Sequence, residues 1–349
     1  MLSLPPEVQL DVLKCLNFEQ LFTFRQTTSH FYNLINKYEG GLARMEFTKL
    51  SFIDADVIDS QDNKSFAFIK IEPKVSSSNF VLNDQLMKKW KAAIAESVPL
   101  ILYDCQHDAY VYDVYLKKKV NDKHKYYTLK LPNIPKTTEE MIVVRDWLEQ
   151  LFKCAFEDAM FENVIFNPEM INLLFDDDKT IVTKFHIRDR LYLTAGAITF
   201  ENIFKFALNN FAIYEFIAIG ARHVCNVEKY TDILFNIIIN EGNKFPRVAF
   251  NISMLKELYD LITEYIITSK DLSRMVSSFV LNYTLLTNFK LNERAEKVEK
   301  LQEGLSKVTK YQIANIYNPK AKFSFCHREI DMEGETFFLL RIKKMEEQN

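Results

Sequence analysis

The side chains that could do covalent or metal chemistry in this chain are few, and their spacing decides what they can do. His223 and Cys225 stand together in "ARHVC", yet a thiol nucleophile needs a base within reach and a third group to orient that base. Zinc would need further ligands, and no paired Cys or His spacing supplies them. "FDDDKT", residues 175–180, sets Asp176, Asp177 and Asp178 between a helix and a strand. Magnesium would bind there only if those carboxylates converged with other oxygens, so a solvated acidic loop is the simpler account. The chain has seven glycines and neither G-x-G-x-x-G nor G-x-x-x-x-G-K-[ST], so it lacks both backbone devices that cradle phosphates. The expectation is a chain with no catalytic residue, no metal and no cofactor.

Partners are bounded by charge and hydropathy. A net charge of -3 gives no basic footprint for nucleic acid. The one basic aromatic stretch, "YLKKKVNDKHKYYTLK", reads as a solvated hairpin end whose lysines guard an edge strand. No apolar run approaches the ~20 residues that span a bilayer, and Pro5, Pro6, Glu7 and Asp11 interrupt the place where a secretory signal would be apolar. Five widely spaced cysteines (Cys15, Cys105, Cys154, Cys225, Cys326) include no C-x-x-C pair and read as reduced thiols. No nucleic acid and no membrane are therefore expected as partners, and the location expected is cytoplasmic, nuclear or both. The sequons at Asn63, Asn251 and Asn282 then carry no glycosylation meaning.

The elements begin with three short helices. "LPPE" at residues 4–7 puts proline in a first helical turn, where its missing N–H costs nothing, and Glu7 complements the helix dipole. Val8, Val12 and Cys15/Leu16 recur at helical spacing, with Leu10 and Leu13 widening the apolar arc. "NFEQ" has capping-box form, Asn17 as cap and Gln20 at N3. Leu21, Phe22 and Phe24 follow on a second helix, and "TTS" offers caps for a third bearing Phe31, Leu34 and Ile35. A unit this small cannot bury so many apolar residues against itself.

Leu4-Pro5-x-Glu7, the leucine and valine series through Leu16, then Leu21, Arg25, Phe31 and Leu34-Ile35 resemble an F-box, the helical module that docks on the small adaptor subunit of Skp-cullin-F-box ubiquitin ligases. The resemblance covers residues 4–38. It departs from the family at Thr27 and Thr28, where an apolar residue and often a cysteine precede the aromatic, and at Phe31, where tryptophan is commoner. It implies that Leu4, Pro5, Val8, Leu10, Val12, Leu13 and Leu16 touch a Skp-type adaptor, while Leu21, Phe31 and Leu34 hold the helices together. An ordinary helical cap on the following domain fits the same apolar pattern.

Residues 46–137 read as a mixed α/β section after a hinge at "YEGGLARMEF". "KSFAFIKIEPK", "VPLILYDC", "AYVYDVYLKKK" and "KYYTLKLPNIP" are β-branched and aromatic runs bounded by polar residues or proline. Leu86, Trp90 and Ile94 at i, i+4, i+8 predict a helix in "DQLMKKWKAAIAES".

From residue 138 to 349 the pattern is a βα array. "EEMIVVRDWLEQLFKCAFEDA" predicts one long helix, after which strands starting near 162, 183, 214, 246 and 277 alternate with helices. That spacing fits one supersecondary unit per repeat, a leucine-rich-repeat-like parallel sheet with right-handed crossovers; an α/β enzyme sheet gives the same alternation. In "TKFHIRD", Lys184, His186 and Arg188 alternate with apolar residues, as do Arg247 and Asn251 in "PRVAFN" and Asn282 and Thr284 in "FVLNYT". On a shared polar face these seven would form a surface for a protein substrate. "LNERAEKVEKLQEGLSKV" predicts an amphipathic helix with i, i+4 Glu/Lys pairs, and "KFSFCHR" with "TFFLLRIKK" a closing antiparallel pair that caps the array.

The whole is thus expected to be an α/β chain with an F-box-like module at 1–45, a mixed section at 46–137 and the repeat array at 138–349. Its expected function is the substrate-recognition adaptor of a ubiquitin ligase. A scaffold for another complex, or an α/β hydrolase with convergent carboxylates or a Cys/His pair, are the alternatives.

Overall fold

The computed structural model describes residues 4–55, 67–73, 80, 82–104, 111–176, 181–196, 199–221, 230–252, 256–283, 291–304, 306–332 and 335–346. Three helices come first: α1 (Pro6–Lys14), α2 (Phe18–Arg25) and α3 (Ser29–Tyr38). Their starts follow the local chemistry. Pro6 occupies the first turn of α1, Asn17 and Gln20 complete a capping box on α2, and the Thr28 side chain accepts from Phe31 N on α3. Leu13, Leu21, Phe31, Ile35 and Leu42 make a small core of their own, separate from the main one.

A short 3-10 turn (Glu39–Gly41) leads into β1 (Met45–Asp54), followed by β2 (Phe68–Ile71), α4 (Asp84–Ala95), β3 (Ile101–Tyr103), β4 (Tyr112–Val120) and β5 (Lys123–Leu129). The basic stretch does form a hairpin: Asn121 and Asp122, both at positive φ, turn β4 into β5. Next come α5 (Thr138–Phe152), β6 (Cys154–Glu162), β7 (Val164–Phe166), α6 (Pro168–Leu174), β8 (Phe185–Ala195), α7 (Phe200–Asn210), β9 (Phe211–Ile213) and β10 (Phe216–Ala221). The chain closes with α8 (Thr231–Asn240), β11 (Arg247–Asn251), α9 (Lys256–Thr268), β12 (Ser278–Tyr283), β13 (Glu296–Glu303), β14 (Ser306–Ala314), β15 (Lys322–Met332) and β16 (Glu335–Lys344).

One mixed sheet organises the strands in the order β13-β14-β15-β16-β12-β11-β10-β8-β6-β1-β4-β5-β2, with β9 beside β8 and β3 paired separately with β7. Its centre is parallel: β1, β6, β8, β10, β11 and β12 lie side by side in chain order. Helical crossovers are the only economical way to join such neighbours. On one face, Phe161, Phe185 and Phe206 of α7 meet edge to face, with Phe152 of α5 at 4.8 Å from Phe185. The other face carries Asp158, Arg190, Tyr192, Thr194, Arg247, Asn251 and Asn282, half-buried or exposed.

Two readings of local pattern are corrected. Residues 139–159 do not form one helix, because α5 ends at Phe152 and Cys154–Glu162 become a strand between β1 and β8. Ladder bonds to two neighbours outweigh helix propensity there. Residues 291–308 do not form an amphipathic helix either. They supply β13 and part of β14, linked through Gly304 at φ +60°. Val298 and Leu301 stay exposed, so no buried apolar stripe supports a helix, and i, i+4 pairs are worth only about 0.2–0.5 kcal/mol each. Glu303 instead pairs across strands with Arg328 and Lys310. The closing pair β15–β16 forms as read but is extended by β14 and β13 into a four-stranded antiparallel meander.

Candidate functional site

Val8 and Val12 lie one helical turn apart on α1 and are 43% and 37% exposed, and Leu4, just before the helix, is 39% exposed. That spacing puts the two valines in one stripe, and Pro5, at the cap position, is exposed ahead of it. Leu10 and Leu16 are half-buried against the small helical core, and Leu13 is wholly inside it. Leu13 therefore anchors α1 to α2 and α3 while the stripe faces outward. Phe22 and Tyr32 are also exposed, at 53% and 48%.

A polar clasp fixes the stripe's direction. Gln9 is buried, donates from Nε2 to Leu4 O at 2.6 Å, and its Oε1 lies 2.8 Å from His30 Nε2 on α3. Arg25 stacks on Tyr32 at 5.0 Å, and its hydrogen bond holds the phenol below its ordinary pKa. Neither Gln9 nor Tyr32 was singled out from the sequence. The available signal was a lone amide inside an apolar helix.

The helical module is seated on the sheet by charge. Glu39 lies 3.8 Å from Arg25 and 3.3 Å from Lys153, just beyond α5. Burial opposes charge on Lys153, yet Glu149 and Glu39 raise its pKa overall. Arg44 donates to Phe152 O at 2.9 Å and to Gly40 O at 3.4 Å, and burial lowers its pKa.

The residues read as a substrate surface are placed unevenly. Arg188 pairs with Glu46 and Arg247 with Glu215, both at 2.7 Å. Asn251 and Asn282 are register partners on adjacent strands, and the Asn282 side chain donates to that of Asn251. Lys184 sits half-buried just before β8. His186 is buried, with Nδ1 3.3 Å from the Tyr214 hydroxyl, and burial, helped by Arg44 and Lys184, pulls its pKa down to about 4. Thr284 lies outside the described residues. The sequence reading passed over Asp158 and Arg190, a bidentate pair at 3.0 Å on the same face.

The candidate chemistry does not converge among the described residues. Asp176 pairs with Lys89 across from α4, while Asp177, Asp178, His223 and Cys225 lie outside the described residues. Cys154 is buried, and desolvation pushes its thiol up to about 12. No group of three His, Cys, Asp or Glu among the described residues could hold a metal.

Two family models match the chain: the F-box domain over residues 1–40, and a domain of unknown function, DUF8381, over residues 71–222. Comparison with the curated proteins and with the solved structures finds no match.

Proposed function

The chain is an F-box protein, and from that premise we propose that it is the substrate-recognition subunit of a Skp-cullin-F-box ubiquitin ligase. Its N-terminal helices dock on the Skp-type adaptor, and its α/β body, a leucine-rich-repeat-like array in this reading, holds a protein substrate. The observation that carries the docking half is the exposed apolar set of Val8 and Val12 on α1 and Leu4 just before it, beside a small core that is complete without them. Exposed apolar surface of that kind marks a partner site. Pro5, Leu10 and Leu16 flank the stripe, and Leu13 supports it from within.

The open sheet face is the substrate half of the proposal. Arg247, Asn251 and Asn282 present polar groups there on neighbouring strands, and Arg188, which pairs with Glu46, is assigned to the surface by sequence alternation. Lys184 lies at its edge, and Thr284 is assigned to it by sequence alternation alone. The chain contributes no covalent step in this role. Holding substrate lysines near the ubiquitin-transfer enzyme raises their effective concentration, which is where the rate gain comes from. Such ligases work in the cytoplasm and nucleus, so that is the location proposed.

The test is a pull-down of purified adaptor by the full chain and by a Val8→Asp/Val12→Asp variant. Both positions are exposed, so the variant keeps its fold. Capture by the parent and its loss in the variant support the reading; a folded parent that captures no adaptor at micromolar concentration overturns it.

A further inference from the structure

Between the helical module and the sheet lies a cavity of about 580 Å³. Leu21 and Phe22 of α2 form one wall, and Phe47 of β1, Leu116 of β4 and Trp147 of α5 form the other. That volume lies inside the range of about 300–1,000 Å³ that holds a drug-sized molecule, and apolar walls with a few placed polar groups are the usual make-up of such sites.

The polar groups are unbalanced in sign. Arg25, Arg44, Lys118 and Lys153 line the cavity against a single carboxylate, Glu39. Glu39 is already shared between Arg25 and Lys153, and Lys153 is paired a second time with Glu149 at 2.9 Å, which leaves Arg44 and Lys118 as the cations without a carboxylate partner among the described residues. Arg44 spends two guanidinium nitrogens on the carbonyls of Phe152 and Gly40, partners that carry no charge. Lys118 makes no ion pair among the described residues. Half-buried cations beside an apolar void are stabilised by an anion whose body fills the void, since the pair gains charge compensation and apolar burial together.

We propose that this cavity binds an amphipathic monoanion of the long-chain carboxylate class, its hydrocarbon body between Phe22, Leu116 and Trp147 and its carboxylate among Arg44, Lys118 and Lys153. A neutral amphiphile gains the apolar term alone, and a small anion gains the charge term alone. Because α2 supplies one wall and the sheet with α5 the other, an occupied cavity fixes the angle at which the helical module leaves the body. Ligand and module orientation are then thermodynamically linked.

The experiment uses the full chain and dodecanoate as probe, with dodecanol as its neutral counterpart. The chain has two tryptophans; Trp90 is wholly buried and Trp147 lines the cavity, so fluorescence reports occupancy, and calorimetry gives the stoichiometry. The expected result is saturable one-to-one binding of dodecanoate, at least tenfold tighter than dodecanol. Lys118→Glu should weaken dodecanoate at least tenfold and leave dodecanol unchanged, and Ala43→Phe, which fills the cavity, should abolish both. The fluorescence change should vanish in Trp147→Phe while the heat of binding persists. Absence of saturable binding, equal affinity for acid and alcohol, or indifference to Lys118→Glu in a folded variant would each overturn the proposal. None of these readouts involves the adaptor, so failure here and failure of the ligase reading are separable.

Discussion

Glu39, one residue past α3, and Lys153, one residue past α5, meet at 3.3 Å and bridge the helical module to the sheet. Each is about one-third exposed, so the pair contributes little to stability, on the order of 0–1 kcal/mol. Its value lies in direction, because Glu39 also reaches Arg25 of α2. Glu39→Lys should leave global unfolding within about 1 kcal/mol of the parent yet raise amide exchange across residues 39–45. The double swap Glu39→Lys/Lys153→Glu should restore protection in part, and exchange that is unchanged in the single variant would rule out this seat.

The stripe and its anchor should separate cleanly by mutation. Val8→Asp/Val12→Asp changes exposed positions and should alter stability by no more than about 0.5 kcal/mol per site, while adaptor binding falls by about 2 kcal/mol or more if the stripe is a hot spot. Leu13→Ala removes a fully buried side chain and should cost about 2–5 kcal/mol locally. Circular dichroism with hydrogen exchange over residues 4–38 would distinguish them. A Leu13→Ala variant with native exchange there would contradict the small separate core.

Acid should destabilise the sheet through two histidines. Burial lowers His186 and His327 from 6.5 to about 4, so between those values the unfolded chain binds protons that the folded chain does not. Stability from this source is complete above about pH 6.5 and is lost as pH falls toward 4. Denaturant midpoints taken between pH 7 and pH 4.5 should drop, and the drop should shrink in His327→Phe. An identical pH slope in that variant would remove His327 from the account.

Gly242 offers a steric test. A Cβ there would lie 2.5 Å from Met275 O and 2.7 Å from Arg274 O, and its own N–H donates to Arg274 O at 2.8 Å. Gly242→Ala must push apart the turn after α8 and the segment before β12, which should cost about 1–3 kcal/mol. A melting temperature equal to the parent's would mean that the turn yields freely.

What could be read from the sequence was what neighbours in sequence decide. The Asn17–Gln20 capping box forms as its spacing requires, and "YEFIAIG", "PRVAFNI" and "SSFVLNYT" become β10, β11 and β12, with Val248 and Phe250 buried opposite Arg247 and Asn251 on β11. What escaped were segments whose fate is set by distant partners. Residues 45–54 carried no strand reading, yet they are β1, paired in register with Lys117 on one side and Asp158 on the other at Lys49. The helix read over 291–308 failed for the same reason, since its strand partners lie in β14 and beyond. Among candidate site residues, the outward positions Val8 and Val12 were legible from helical period. The buried fates of Leu13 and His186 were not, because burial depends on which element packs above a face.

The position of β1 also bears on the order in which the protein can be made. The strand that follows the F-box directly is held by β4 on one flank and by β6 on the other, so its last partner, Met160 opposite Ser51, is more than a hundred residues downstream. On the ribosome the helices and their strand emerge first, and the strand's two edges stay open until residues 112–162 follow. A nascent chain stalled or cut before that point carries a completed helical module on a strand with neither neighbour in place.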